Sequence, residues 1–135
     1  MQLPFHTLDV FTDRTFGGNP LGVFPDAAHL PTDLMQRIAL EMHLSETVFL
    51  GPPETSEGSA RVRIFTPRRE VPFAGHPTVG TAIFLAAGAE PSGSGSCTSG
   101  RSDPAADSVA ANSVTLMLEE NIGPVPVAVR LENGT

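Results

Sequence analysis

The stretch Thr78 to Ala87 (TVGTAIFLAA) constrains this chain more than any other, because it carries no charge at all. A helix with apolar side chains on every side is normally buried on all sides. Small residues at Gly80, Thr81 and Ala82 let neighbouring backbone come close, and Gly88 offers a C-cap. The stretch therefore predicts a central helix threaded through a curled sheet, not one lying on a flat one.

The remaining pattern supplies that sheet. Gly and Pro number 13 each in 135 residues, above an average share of roughly 12% together, which favours turns and strands over long helices. Phe5 to Phe11 alternates loosely as a half-buried strand, and Thr12 to Pro20 (TDRTFGGNP) is turn chemistry. Leu21 to Phe24 resumes an extended run, so the first two strands pair as a hairpin. Further strands are expected at Thr47 to Leu50, Arg61 to Thr66, Val114 to Leu118 and Val125 to Leu131, the last two joined by a turn at Glu120 to Pro124. A second helix starts near Pro31, with Thr32 as N-cap and Asp33 in its first turn. Its Leu34, Met35, Ile38, Ala39 and Met42 share one face, which makes it an amphipathic cover for the sheet. Ala89 to Ser113 is low-complexity Ser, Gly, Ala and Asp, too poor in large apolar groups to order itself, and reads as a flexible loop.

Composition narrows the partners. A net charge of −7 spread along the chain disfavours nucleic acid and anionic lipid. The single cysteine, Cys97, fits a reducing compartment and leaves no internal disulfide. The N-terminus has no basic region, and no apolar run reaches the roughly 18 residues of a membrane span. The expectation is a cytoplasmic protein that meets neither membrane nor nucleic acid.

Three stretches carry chemistry. Gly17-Gly18-Asn19-Pro20 is, on spacing alone, most simply a tight turn. His43-Leu44-Ser45-Glu46-Thr47 puts a carboxylate beside an apolar strand; most loop carboxylates stay solvated, but partial burial would suit Glu46 to general-base work. Phe73-Ala74-Gly75-His76-Pro77-Thr78 opens the apolar helix. There Gly75 admits a close ligand, bare amides face an anion, and His76 can donate a hydrogen bond or relay a proton. The bland alternative is a capping turn with a histidine in water. His6, His29 and His43 show no ligand spacing, so no metal site is expected. Cys97 has no base nearby, and Arg61, Arg63, Arg68 and Arg69 read as a solvated strand edge.

Together the segments FHTLDVFTDRTFGGNPLGVF, LMQRIALEMHLSETVFL and RIFTPRREVPFAGHPTVGTAIFL resemble the PhzF-like (phenazine-biosynthesis) isomerase family, in order and within one continuous stretch. The resemblance implies an α+β, diaminopimelate epimerase-like fold of two similar lobes, each a curled mixed sheet around a central helix, with the active site between them. Residues 1–135 match the N-terminal lobe, leaving the second lobe absent. Glu46 matches the family's proton-transferring base and His76 the histidine that contacts substrate and assists. Gly75, with Asn19, Ser45 and Pro77, would help hold the substrate. The implied reaction is a proton shift on a small, carboxylate-bearing, dihydroaromatic amino-acid-like molecule. No flavin, nicotinamide, pyridoxal phosphate or metal is implied, and the protein would act as a homodimer. A racemase of this fold would use a cysteine pair, and Cys97 lies in the wrong place. The other reading is a non-catalytic remnant whose exposed cleft face serves self-association or protein pairing.

Overall fold

In the computed structural model, which describes residues 1–88 and 113–130, seven strands form one mixed sheet. They are β1 (His6–Val10), β2 (Asn19–Phe24), β3 (Thr47–Gly51), β4 (Ala60–Phe65), β5 (Glu70–Val71), β6 (Ser113–Glu120) and β7 (Gly123–Arg130). Helix α1 spans Thr32–Met42 and helix α2 spans Gly75–Ala86. The strand order is β1-β2-β3-β4-β6-β7, with β5 paired to β4. β1 and β2 pair antiparallel as the hairpin reading requires, whereas β2 with β3 and β4 with β6 run parallel. A parallel pair needs a crossover long enough to hold a helix. Accordingly α1 bridges β2 and β3, and α2 lies between β4 and β6 in the chain.

Alternation along the strands builds a core on each face of the sheet. Val23, Val48, Leu50, Val62 and Ile64 face α2, where they pack with Ala82, Phe84 and Leu118. Phe24, Phe49 and Phe65 face α1 and pack with Met35 and Ala39. With no Trp or Tyr in the chain, this second core is built on phenylalanine: the Phe24 and Phe49 rings stack at 5.1 Å, and Phe49 meets Phe65 edge-on at 5.3 Å.

Helix α2 fills the hollow of the sheet and touches strands from both edges, β1 and β7 included. Gly80 is the reason it sits so close. A Cβ there would lie 2.6 Å from Leu21 Cδ2 and 2.8 Å from Val10 Cγ2. The sheet does not close, however, because β1 and β7 remain unpaired edges among the described residues. The expectation of a helix buried on every side is therefore corrected: Ile83 is 43% exposed.

The helix starts also differ from expectation. α2 begins at Gly75, three residues before Thr78, because Pro77 needs no hydrogen-bonded N–H in a first turn. Pro31, not Thr32, is the N-cap of α1, and the Thr32 hydroxyl instead accepts a hydrogen bond from Arg63 Nη2 at 3.0 Å. Nor are Arg61 and Arg63 a solvated edge, since β4 is an interior strand, whereas Arg68 and Arg69 are exposed in the turn that follows it. Arg63 forms a two-bond pair with Glu70, both at 2.8 Å, and Arg61 donates to the Glu119 carbonyl at 2.7 Å. The turn expected at Glu120 to Pro124 shrinks to Asn121 and Ile122, and Ser113 already belongs to β6. Residues 89–112, with Cys97, and Leu131 lie outside the described residues.

Candidate functional site

Three chain segments far apart in sequence converge at the opening of α2. α1 ends at His43, whose backbone takes the left-handed conformation (φ 55°) and turns the chain toward Ser45 and Glu46. Glu46 then immediately precedes β3, whose Thr47 is fully buried. β2 starts at Asn19, held against β1 through its pairing with Val10. Gly18 allows that approach: a Cβ there would fall 2.4 Å from the Val10 carbonyl oxygen. The first turn of α2 supplies Gly75 and His76.

His76 joins the three. Its Nδ1 lies 3.1 Å from Glu46 Oε2, and its Nε2 lies 3.1 Å from the carbonyl oxygen of Asn19. The imidazole is 9% exposed and the Glu46 side chain 22%, so the pair is largely withdrawn from water. A carbonyl only accepts, so Nε2 must carry hydrogen, and that fixes the tautomer question. A hydrogen between Nδ1 and Oε2 would complete the second contact. The two side chains stand at the distance over which a proton can pass, the geometry that acid–base chemistry at carbon needs.

The other expected residues separate. Gly75 is exposed at the mouth, and a Cβ built on it would meet nothing within 4 Å. Asn19 reaches the site through its backbone carbonyl. Ser45 is exposed in the turn beside Glu46. Pro77, in the first turn of α2, has a side chain less than 2% exposed.

Two features escaped the sequence reading. Phe11, expected to end a strand, instead has φ 62°, an uncommon backbone for a bulky residue. That conformation throws its ring outward, 69% exposed and 6.3 Å from the His76 ring. The second is the buried acid Glu120, reached by Thr78 of α2 at 2.6 Å. Strand alternation could have found it, because of two consecutive glutamates on β6 one must face the helix. Phe16, Phe73 and Ile122 are also exposed, at 94%, 44% and 63%. Phe73 directly precedes the opening of α2, and the Ile122 amide bonds the Pro72 carbonyl, so apolar surface rims the same region.

Among the described residues no three His, Cys, Asp or Glu side chains gather as metal ligands. No helix among them is long and apolar enough to cross a membrane.

Comparison with known proteins bears on this arrangement. Residues 8–135 match the family model described as phenazine biosynthesis-like protein. An uncharacterized isomerase of Mesorhizobium japonicum is 48% identical over 93% of this chain and 35% of its own length. The trans-2,3-dihydro-3-hydroxyanthranilate isomerase of Pseudomonas aeruginosa is 40% identical over 94% of this chain and 37% of its own. Among solved structures, a predicted epimerase from P. aeruginosa superposes with a TM-score of 0.73 at 30% identity, covering 98% of this chain and 40% of that one. A hydroxyproline epimerase from Agrobacterium vitis, at 15% identity and a TM-score of 0.55 over 87% of this chain and 36% of its own, shares the fold. The chain thus spans about a third of the length of the curated relatives it matches.

Proposed function

This chain belongs to the phenazine biosynthesis-like protein family, and from that premise we propose that it forms one wall of a cofactor-independent isomerase site. In this reading Glu46, as carboxylate, takes a proton from a carbon of a small carboxylate-bearing substrate. The electron pair left behind moves through the adjoining unsaturated system, and Glu46 returns the proton to a different carbon. His76 orients the carboxylate and shares its proton, while the amides at the opening of α2, with Gly75, Asn19 and Ser45, hold the polar end of the substrate. The observation that carries the proposal is the contact between His76 Nδ1 and Glu46 Oε2 at 3.1 Å, with the other ring nitrogen engaged by the Asn19 carbonyl.

The remainder of the site belongs, in the same reading, to a second lobe that residues 1–135 do not contain. The exposed Phe11, beside His76, and Phe73 and Ile122, near the opening of α2, support it, because apolar surface around a polar pair is what a covering lobe would bury. They also favour a second reading, in which this face pairs with another copy and has no catalytic role. We place the active protein in the cytoplasm as a homodimer.

The test is solvent deuterium uptake into trans-2,3-dihydro-3-hydroxyanthranilate, the compound for which the P. aeruginosa relative is named. The full protein should incorporate deuterium at carbon, and Glu46→Gln should slow this by at least about 100-fold, the scale of a lost general base. Uptake unchanged by Glu46→Gln would remove Glu46 from the role of base. No uptake, together with association abolished by Phe11→Ser, would favour the pairing reading.

A further inference from the structure

Thr78, in the first turn after the His76 position, makes two oxygen contacts with a single hydroxyl hydrogen. Its Oγ1 is 2.7 Å from the carbonyl oxygen of Ala74 and 2.6 Å from Oε1 of Glu120. The hydroxyl has one hydrogen for the two contacts, and the Ala74 carbonyl, which already accepts the Thr78 amide at 3.2 Å, can supply none. If Glu120 were a carboxylate, one of the two short oxygen contacts would have no hydrogen of its own. A hydrogen on Glu120 resolves this, because the acid donates to Thr78 Oγ1 and Thr78 donates to Ala74. The other carboxyl oxygen, Oε2, is buried and has no partner among the described residues. That is tolerable for the carbonyl oxygen of an acid and far more costly for an anion.

We propose that Glu120 is a neutral carboxylic acid and a positioning residue, which through Thr78 fixes the opening turn of α2 carrying Gly75 and His76. This rests on the site reading above. The turn needs such a lock, because its N-cap Ala74 offers no side-chain hydrogen bond. Its neighbours anchor the same segment: the Ile122 amide bonds the Pro72 carbonyl at 3.2 Å, and Asn121 donates to Glu70 at 2.9 Å. Neutrality has a second consequence. A negative charge here would sit one turn from the amides of Gly75 and His76 and repel an anionic substrate from the helix N-terminus.

The charges around Glu120 are few. Arg61 of β4 acts on it and favours the anion, and Glu119 makes its bonds to the 54–55 loop instead. From α2 the only titratable group is His76, since the rest of that helix is uncharged. Burial outweighs Arg61 and Thr78, and pushes the Glu120 carboxyl above its ordinary value.

The direct experiment is 13C NMR of the protein labelled at glutamate side chains. At pH 7 the Glu120 carboxyl carbon should keep the shift of a carboxylic acid while that of Glu119 shows a carboxylate. A Glu120 carbon at the carboxylate position overturns the proposal. The positioning role is read at His76. Glu120→Gln, whose amide can donate to Thr78, should leave the His76 ring resonances in place. Thr78→Val, which keeps the volume and removes the hydroxyl, should shift those resonances and slow deuterium uptake by on the order of tenfold, in kcat more than KM. His76 resonances unmoved in Thr78→Val would overturn positioning. Were the wild type to show no uptake while the NMR results held, the site reading would fall and the Glu120 lock would stand.

Discussion

Two glycines of α2 give opposite forecasts from the same substitution. At Gly80 an added Cβ would press 2.6 Å from Leu21 Cδ2 and 2.8 Å from Val10 Cγ2. Leu21 and Val10 are 0% and 2% exposed, so neither side chain can swing into solvent. Overpacking of this kind costs about 1–3 kcal/mol, against a gain of about 1 kcal/mol for replacing glycine inside a helix. Gly80→Ala should therefore lower stability by about 1 kcal/mol, the difference between those two effects. At Gly75 the new methyl meets open space, so Gly75→Ala should raise stability by about 0.4–1 kcal/mol through the unfolded chain. The same methyl would stand where a substrate's polar end approaches the first amides of α2, so KM in the deuterium-uptake assay should rise about tenfold, the loss of roughly 1.4 kcal/mol. Urea denaturation of the two variants beside wild type checks stability, and the uptake assay checks binding. If Gly80→Ala is as stable as wild type, the close packing of α2 on β1 and β2 is misjudged. If Gly75→Ala binds as wild type does, the open space at the helix mouth is not where substrate sits.

Phe11→Gly should relieve an unfavourable backbone (φ 62°) and leave stability level or higher by up to about 1 kcal/mol, while slowing uptake because the ring beside His76 is gone; a marked loss of stability would show that the ring is a core residue. Burial pushes the Glu119 carboxyl up, but the Thr55 hydroxyl and the amides of Glu54 and Thr55 outweigh it and hold it below its ordinary value. Because the folded state prefers the carboxylate, its stabilising effect is present above the unfolded value of 4.5 and fades as pH falls through the folded one. Glu119→Ala should accordingly cost about 1–3 kcal/mol at pH 7 and less at acid pH, measured by urea denaturation at pH 7 and pH 3. Glu120 has the opposite sign: its raised value means its stabilising effect is present below 4.5 and is lost as pH rises. Glu120→Gln should thus gain stability relative to wild type between pH 4 and pH 7, and a difference that does not vary with pH would contradict a neutral buried acid.

The sequence made some of this legible because the relevant physics is local. An uncharged stretch with small residues at Gly80, Thr81 and Ala82 demands close cover, and α2 lies in the hollow of the sheet with Gly80 in tight contact, though Ile83 stays exposed. Glu46 and His76 were legible as separate candidates on their motifs. That they touch depends on the parallel pairing of β2 with β3, which sets Asn19 and Glu46 beside one helix opening, and no local pattern encodes such register. α2 starts three residues before the uncharged run, because in a first turn the missing N–H of Pro77 costs nothing.

The least legible feature was the division of labour between Glu119 and Glu120. Read as text they are a charged pair leading into a turn. Strand alternation sends them to opposite faces, and their surroundings then decide their protonation. Glu119 meets three hydrogen donors from the 54–55 loop and stays ionised, whereas Glu120 meets one hydroxyl that it shares with the Ala74 carbonyl. With Glu120 neutral as proposed, the charge counted from sequence overstates the negative charge beside the opening of α2 by one. The electrostatic character of the site is thus a property of the fold, set by which face of β6 each glutamate occupies, and a shift of β6 by one residue would exchange the two.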